Sequence, residues 1–158
     1  MRLVVVLRLL GLAAVSPLLL YLINPQWVSW ARLSLPHWVR MAAAIVAIGT
    51  VPVIYWIFST LGNSISPTEA TREGHTLVTH GPYRWVRHPL YSVGVLFYLS
   101  LSLVTALWWL PLASLPALIL LVRRTEAEEA NLIAAFGDDY RGYMQQTGRF
   151  LPGVGASG

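Results

Sequence analysis

The sequence predicts an all-α integral membrane protein with about four transmembrane passes. The last two passes form a tight helical hairpin, followed by a cytoplasmic helix extension and a short amphipathic tail helix. Three observations carry this. Of 158 residues, 56% are hydrophobic and only 11% charged, with a mean hydropathy of +0.58, far from the balance of a soluble domain. The apolar residues gather into runs close to the about 20 residues that a hydrocarbon core of about 30 Å requires. Trp27, Trp30, Trp38, Trp108 and Trp109 fall at the ends of those runs, where headgroups lie. The length fits one membrane domain over 1–158.

Leu3 to Ile23 forms the first span, with Arg8 near enough to its start to snorkel. Asn24-Pro25 ends it, and the connection through Trp27, Trp30, Arg32, Pro36 and Trp38 reads as interfacial. The second span runs over about 41–60, with Pro52 as a candidate kink and Gly62-Asn63-Ser64 as its exit. Leu90 to Val122 carries no charge and as one helix would reach about 50 Å, so it folds back on itself. Trp108-Trp109-Leu110-Pro111 is the expected turn, giving spans of about 90–107 and 111–123. The second arm is short, so its helix is expected to continue into water with Arg123, Arg124, Glu126, Glu128 and Glu129. Gly137 then stops it, and Asp138 caps a tail helix through Gln146 that lies at the membrane surface, with Tyr140 and Tyr143 on one face.

Four passes put both termini and the segment 62–88 on the same side. Most of the arginines fall there, so the positive-inside rule makes that side cytoplasmic. The polar regions 61–91 and 123–152 therefore face one another. The chain has neither cysteine nor lysine, which excludes thiolate, Schiff-base and P-loop chemistry. The net charge of +4 is scattered arginine without a basic stripe, so no nucleic-acid partner is expected. His75, His80 and His88 are spaced five and eight apart in a turn-containing segment and match no standard metal site, so no metal is expected.

His88 stands before Pro89 at a helix mouth, where unpaired N–H groups meet the flat surfaces of Tyr83, Trp85 and Tyr91. Such a place suits a nucleotide-like ligand. Its plainer reading is an interfacial belt, with Arg84 and Arg87 at headgroups. Arg124 and Glu128, four apart on one helix face, can present a cation and an anion to a cleft, or simply pair with each other.

The pattern His75-x-Leu77-Val78-Thr79-x-Gly81-x-Tyr83-x-x-x-Arg87-His88-Pro89-x-Tyr91, followed by Arg124-x-x-x-Glu128-Glu129 and Phe136-Gly137-x-x-Tyr140-x-x-Tyr143, resembles the isoprenylcysteine carboxyl methyltransferase family. The resemblance covers about 61–152, and its wider group includes membrane phospholipid methyltransferases. It implies an S-adenosylmethionine pocket in a bacterial-type inner membrane, open to the cytoplasm, with a lipophilic or lipid-modified acceptor entering from the bilayer. It further implies cofactor contacts from His75, Thr76, Leu77, Val78, Tyr83, His88, Pro89, Leu90 and Tyr91. Glu128 would hold the cofactor's charged end, and Arg124 would bind the acceptor. Arg124, Glu128 and His88 are then the candidate catalytic residues. Methyl transfer is an in-line displacement that asks mainly for alignment and water exclusion. A carboxylate acceptor needs no base; for an amine or phenol, Glu129, His88 or Tyr91 are candidates. Two other readings remain. One is an NADPH-dependent sterol-type membrane reductase, which the pattern also resembles; the other is a non-enzymatic membrane adaptor.

Overall fold

The computed structural model describes residues 2–62 and 77–153. Among them, every regular element is helical: α1 (Arg2–Ile23), α2 (His37–Leu61), α3 (Pro89–Thr105), α4 (Trp109–Phe136) and α5 (Asp138–Gln146). Single 3-10 segments at Pro25–Ala31 and Gly81–Arg84 serve the connections. One helix among the described residues, α2, is long and apolar enough to cross a membrane, with a mean hydropathy of 2.1 over its best 18-residue window. Leu9–Ile23 and α3 are apolar but shorter.

The chain divides into two compact units, the first built from 1–50 and 95–123 and the second from 51–94 and 124–158. In the first, Asn24 caps the segment after α1, its Oδ1 accepting from the Gln26 N–H at 2.9 Å. That segment is fastened to the α3–α4 turn. The Leu33 N–H donates to the Ala106 carbonyl at 2.7 Å and the Trp108 N–H to that of Ala31 at 3.2 Å. Val28, Ala31, Leu107 and Leu110 form the buried core at this junction, with Leu18, Tyr21 and Tyr98 packed on it. Trp108 stands edge to face against both Trp30 and Trp109, which are tilted at 59° to each other, with all ring centroids 5.6–6.0 Å apart. Arg40 Nε donates to the Val104 carbonyl at 2.9 Å, satisfying an acceptor that the end of α3 leaves open.

The α3–α4 turn comes earlier than the tryptophan pair and Pro111 suggest. α3 ends at Thr105, and Trp109 and Pro111 already lie in the first turn of α4. Ala106 takes φ 57°, with its N–H donating to the Leu103 carbonyl and the Leu107 N–H to that of Ser102. This is a Schellman cap built on alanine instead of the usual glycine. A non-glycine residue in that region costs about 1–2 kcal/mol. The next residue, Leu107, is fully buried in the core at this junction.

α4 continues for 28 residues, about 42 Å at helical rise, through the charged segment from Arg123 to Glu129 without a break. Gly137, at φ 57°, separates it from α5. Asp138 is not the cap of α5, as the sequence reading has it. It is the first helical residue, and its carboxylate accepts from Arg141 Nη1 at 2.7 Å. The tyrosine face of α5 is turned into the second unit. Tyr140 is fully buried, and the Tyr143 hydroxyl donates to the Tyr83 carbonyl at 2.6 Å.

Candidate active site

The second unit assembles a charged cluster from three chain segments: the approach to α3, the middle of α4 and the segment after α5. Gly81 at φ +60° opens the approach. A Cβ there would lie 2.8 Å from the Thr60 hydroxyl, so only glycine lets the chain turn so close to α2. The 3-10 turn that follows delivers Arg87 and His88 to the start of α3, with Pro89 as its first residue.

The segment after α5 is laid along this approach, backbone to backbone. The Arg87 N–H donates to the Gly148 carbonyl at 2.9 Å, the His88 N–H to that of Arg149 at 3.1 Å, and the Gly148 N–H to that of Trp85 at 3.3 Å. The Ser92 hydroxyl donates to the Phe150 carbonyl at 2.5 Å. Arg87 completes the tie. Its Nη1 donates to the carbonyls of Thr147 and Met144, the latter at 3.0 Å, and its Nε to Glu129 Oε1 at 2.9 Å. Arg87 is therefore not the headgroup anchor of the plainer sequence reading. It is a buried cation, its side chain 10% exposed, that satisfies a helix C-terminus and a buried carboxylate together.

Glu128 and Glu129 point to different partners around His88. Glu128 Oε1 accepts from Arg124 Nε at 2.8 Å and, more loosely, from the Tyr91 hydroxyl at 3.3 Å. The Arg124–Glu128 helical pair thus forms, and Tyr91 of α3 joins it. Glu129 Oε1 also stands 3.2 Å from His88 Nε2, while its Oε2 stands 3.2 Å from Arg149 Nη2. His88 Nδ1 is 3.9 Å from Glu128 Oε2. The imidazole is buried, tilted against the rings of Tyr91 and Phe150 at 5.7 and 5.9 Å.

The electrostatics follow from these contacts. Burial alone would raise the Glu129 carboxyl. The hydrogen bond and charge of Arg87, then Arg149 and His88, outweigh burial and hold it below the ordinary range. A base so committed is weak, which argues against Glu129 as a proton acceptor. Burial pushes His88 below its ordinary 6.5, against the pull of Glu129 and Glu128. Tyr83, Tyr140 and Tyr143 are each pushed up to about 12, mainly by burial, and stay protonated donors.

Both depressed groups act in the same direction with pH. Where the folded pKa lies below the unfolded one, the unfolded chain binds more protons in the window between them, so stability is lost as pH falls. For His88 that window opens downward from about 6.5, and for Glu129 from about 4.5. Thermal midpoints of detergent-solubilised protein should be flat from pH 8 to about 6.5, decline below it and fall more steeply under 4.5. A midpoint that rises between pH 6.5 and 5 would contradict the assignment.

Of the residues singled out from the sequence, Tyr83, His88, Pro89, Tyr91, Arg124 and Glu128 all belong to the second unit. His88, Tyr91, Arg124 and Glu128 form its continuous cluster. Leu77 and Val78 are half-buried at the start of the approach, and Leu90 is exposed. His75 and Thr76 lie outside the described residues, as does the exit at Asn63-Ser64. A cavity of about 440 Å³ opens elsewhere in this unit, beside α5, where Thr79, Arg84, Asp139, Tyr143 and Thr147 are among its walls; none of the predicted site residues lines it. Arg149 is not among the residues that the sequence singles out, and nothing in the sequence marks it; Arg87 and Glu129 stand in the family-like pattern, Arg87 read as a headgroup anchor and Glu129 as a candidate base. Among the described residues no cluster of side chains has the composition of a metal site.

The described residues thus combine a helix long and apolar enough to cross a membrane with a carboxylate–imidazole–arginine cluster at the start of another helix. The chain belongs to the isoprenylcysteine carboxyl methyltransferase family, whose profile matches residues 41–134, and that family is one of integral membrane proteins. It is 40% identical over 82 residues to the protein-S-isoprenylcysteine O-methyltransferase of Tribolium castaneum, a match covering 49% of this chain and 28% of the relative. It is 33% identical over 92 residues to the methanethiol S-methyltransferase of Mycobacterium tuberculosis, covering 54% of this chain and 32% of that one. The fold matches the structure of the eukaryotic intramembrane Ras methyltransferase ICMT with a TM-score of 0.72 at 26% identity, over 90% of this chain and 51% of that one. The chain thus spans about a third of the length of the two sequence relatives and about half of the solved structure.

Proposed function

We propose that the chain is an S-adenosylmethionine-dependent methyltransferase whose acceptor is a lipophilic carboxylate entering from the bilayer. The observation that carries this is the convergence of Glu128, Arg124, Tyr91 and His88 on the start of α3, within the stretch that the family profile matches. In this reading the chain is one domain of about four spans with the cluster on the cytoplasmic side.

The residues fit the cofactor by their chemistry. Glu128 Oε2 faces His88 and, beside its long contact of 3.4 Å with the Tyr91 hydroxyl, has a further lone pair for an ammonium group, and Tyr83 and Tyr91 bring aromatic surface. His75, Thr76, Leu77, Val78, Tyr83, His88, Pro89, Leu90 and Tyr91 would form the wall, and Glu128 would bind the charged end. When bound, S-adenosylmethionine supplies a methyl group activated by its sulfonium charge. The chain's own work is then to hold, orient and exclude water. Arg124 suits the acceptor: its side chain is 45% exposed, and only its Nε is engaged by Glu128, so the guanidinium can take a carboxylate through paired hydrogen bonds. A carboxylate is already anionic at neutral pH and asks nothing of the committed Glu129.

The Mycobacterium relative favours a second reading, in which the acceptor is a thiol. Purified protein given methyl-labelled S-adenosylmethionine and a host lipid extract separates the two. The carboxylate reading expects labelled product that releases volatile methanol in alkali, as an ester does. Alkali-stable label would favour a thioether, and no lipid-extractable label would overturn methyl transfer to a lipophilic acceptor.

A further inference from the structure

Glu129 and Arg149 have no part in the reading above, yet they decide what the imidazole of His88 can do. Glu129 takes Arg87 on one oxygen and Arg149 on the other, at 2.9 and 3.2 Å. Flanked by two guanidinium groups it is ionised, and an ionised carboxylate only accepts. His88 Nε2 lies 3.2 Å from Glu129 Oε1. A hydrogen bond there requires the proton on Nε2, and a neutral imidazole carries one proton, so Nδ1 is left with its lone pair.

Nδ1 stands 3.9 Å from Glu128 Oε2. Both are acceptors and cannot bond to each other; Oε2 has only the long contact of 3.4 Å from the Tyr91 hydroxyl and keeps a further lone pair. The partner chemistry that satisfies such a pair is a nitrogen with at least two N–H donors. At donor–acceptor lengths of about 2.9 Å, one ammonium nitrogen reaches both with an angle of about 85° between its bonds.

We propose that Glu129 and Arg149 are positioning residues that lock His88 in its Nε2–H tautomer, making Nδ1 and Glu128 Oε2 a paired acceptor for the α-ammonium group of the amino-acid end of the cofactor. The inference rests on the reading of this cluster as an S-adenosylmethionine site. Arg149 acts twice: its side chain fixes Glu129, and its carbonyl accepts the His88 N–H at 3.1 Å. Its guanidinium also lies 5.8 Å from the Phe150 ring, which itself flanks His88. Arg149 Nε is buried without a hydrogen-bond partner, so this guanidinium is placed for Glu129 at a cost to its own bonding. Burial keeps His88 neutral at physiological pH, as the lock requires.

Two measurements test this. In protein labelled with ¹⁵N-histidine, with His88 assigned by comparison with His88→Gln, Nε2 should show a protonated shift and Nδ1 an unprotonated one. The Nδ1 signal should move on adding S-adenosylhomocysteine but not on adding its analogue lacking the α-amino group. By calorimetry, wild type should prefer S-adenosylhomocysteine over that analogue by about tenfold or more. Arg149→Gln and Glu129→Gln should reduce the preference to within about threefold while binding the analogue as wild type does. A residue that served stability alone would leave the preference intact. A proton on Nδ1 in wild type, or a preference kept in both variants, overturns the inference and leaves the cofactor reading standing. Failure of wild type to bind S-adenosylhomocysteine overturns both.

Discussion

Glu128→Ala is expected to weaken S-adenosylhomocysteine binding by roughly ten- to a hundredfold while leaving the thermal midpoint of the free protein nearly unchanged. A hydrogen bond between a charged donor and a carboxylate contributes about 1.5–3 kcal/mol, which is the size of that loss. The fold loses little. Arg124 and Glu128 have side chains 45% and 33% exposed, and an ion pair of that kind contributes at most about 1 kcal/mol. The Tyr91 contact, at 3.3 Å or more, is long for a hydroxyl bond. Isothermal titration paired with a melting curve reads both quantities. Unchanged affinity would remove Glu128 from the site.

Arg87→Ala should do the reverse and destabilise the fold itself by about 3–5 kcal/mol, because it strands a buried carboxylate without its principal cation. Arg87 and Glu129 have side chains only 10% and 9% exposed, and solvent cannot replace the lost partner. The substitution also strips the Met144 and Thr147 carbonyls at the end of α5 of their shared donor. Arg124→Ala is the control: the same residue type, one helix and a few residues from the same glutamates, yet expected to cost under about 1 kcal/mol. Equal effects from the two substitutions would mean that burial does not set the worth of these arginines.

Much of the helical frame is legible in the sequence because its signals are local. Pro89 after Arg-His starts α3, Gly137 ends α4, and the charge-free run from Leu90 to Val122 demands a reversal. The reversal's position is not legible, since the residue that takes the left-handed conformation is Ala106, which announces nothing. The cap of α5 lies one residue before Asp138, because Gly137 occupies the position that the sequence pattern assigns to a polar side chain. Arg124 and Glu128 are legible through helical spacing. Arg87 and Glu129 lie 42 residues apart, and Arg149 joins them from beyond α5, so no periodicity or short motif ties them together. Their convergence appears only once the chain is laid along the start of α3. The same holds for Tyr143, whose place on one face with Tyr140 is a matter of spacing but whose bond to the Tyr83 carbonyl is not.

In the proposed function the His88–Glu128 cluster belongs to a methyl donor and not to a nicotinamide dinucleotide. The most direct measurement is the thermal midpoint of the purified protein titrated with S-adenosylhomocysteine and, separately, with NADPH. A ligand that binds only the folded state stabilises it by about 2.7 kcal/mol at a hundred times its dissociation constant, so the response must grow with concentration. The midpoint should rise in this way with S-adenosylhomocysteine, lose that rise at the same concentrations in Glu128→Ala, and stay flat with NADPH. A rise with NADPH alone would contradict the proposed function.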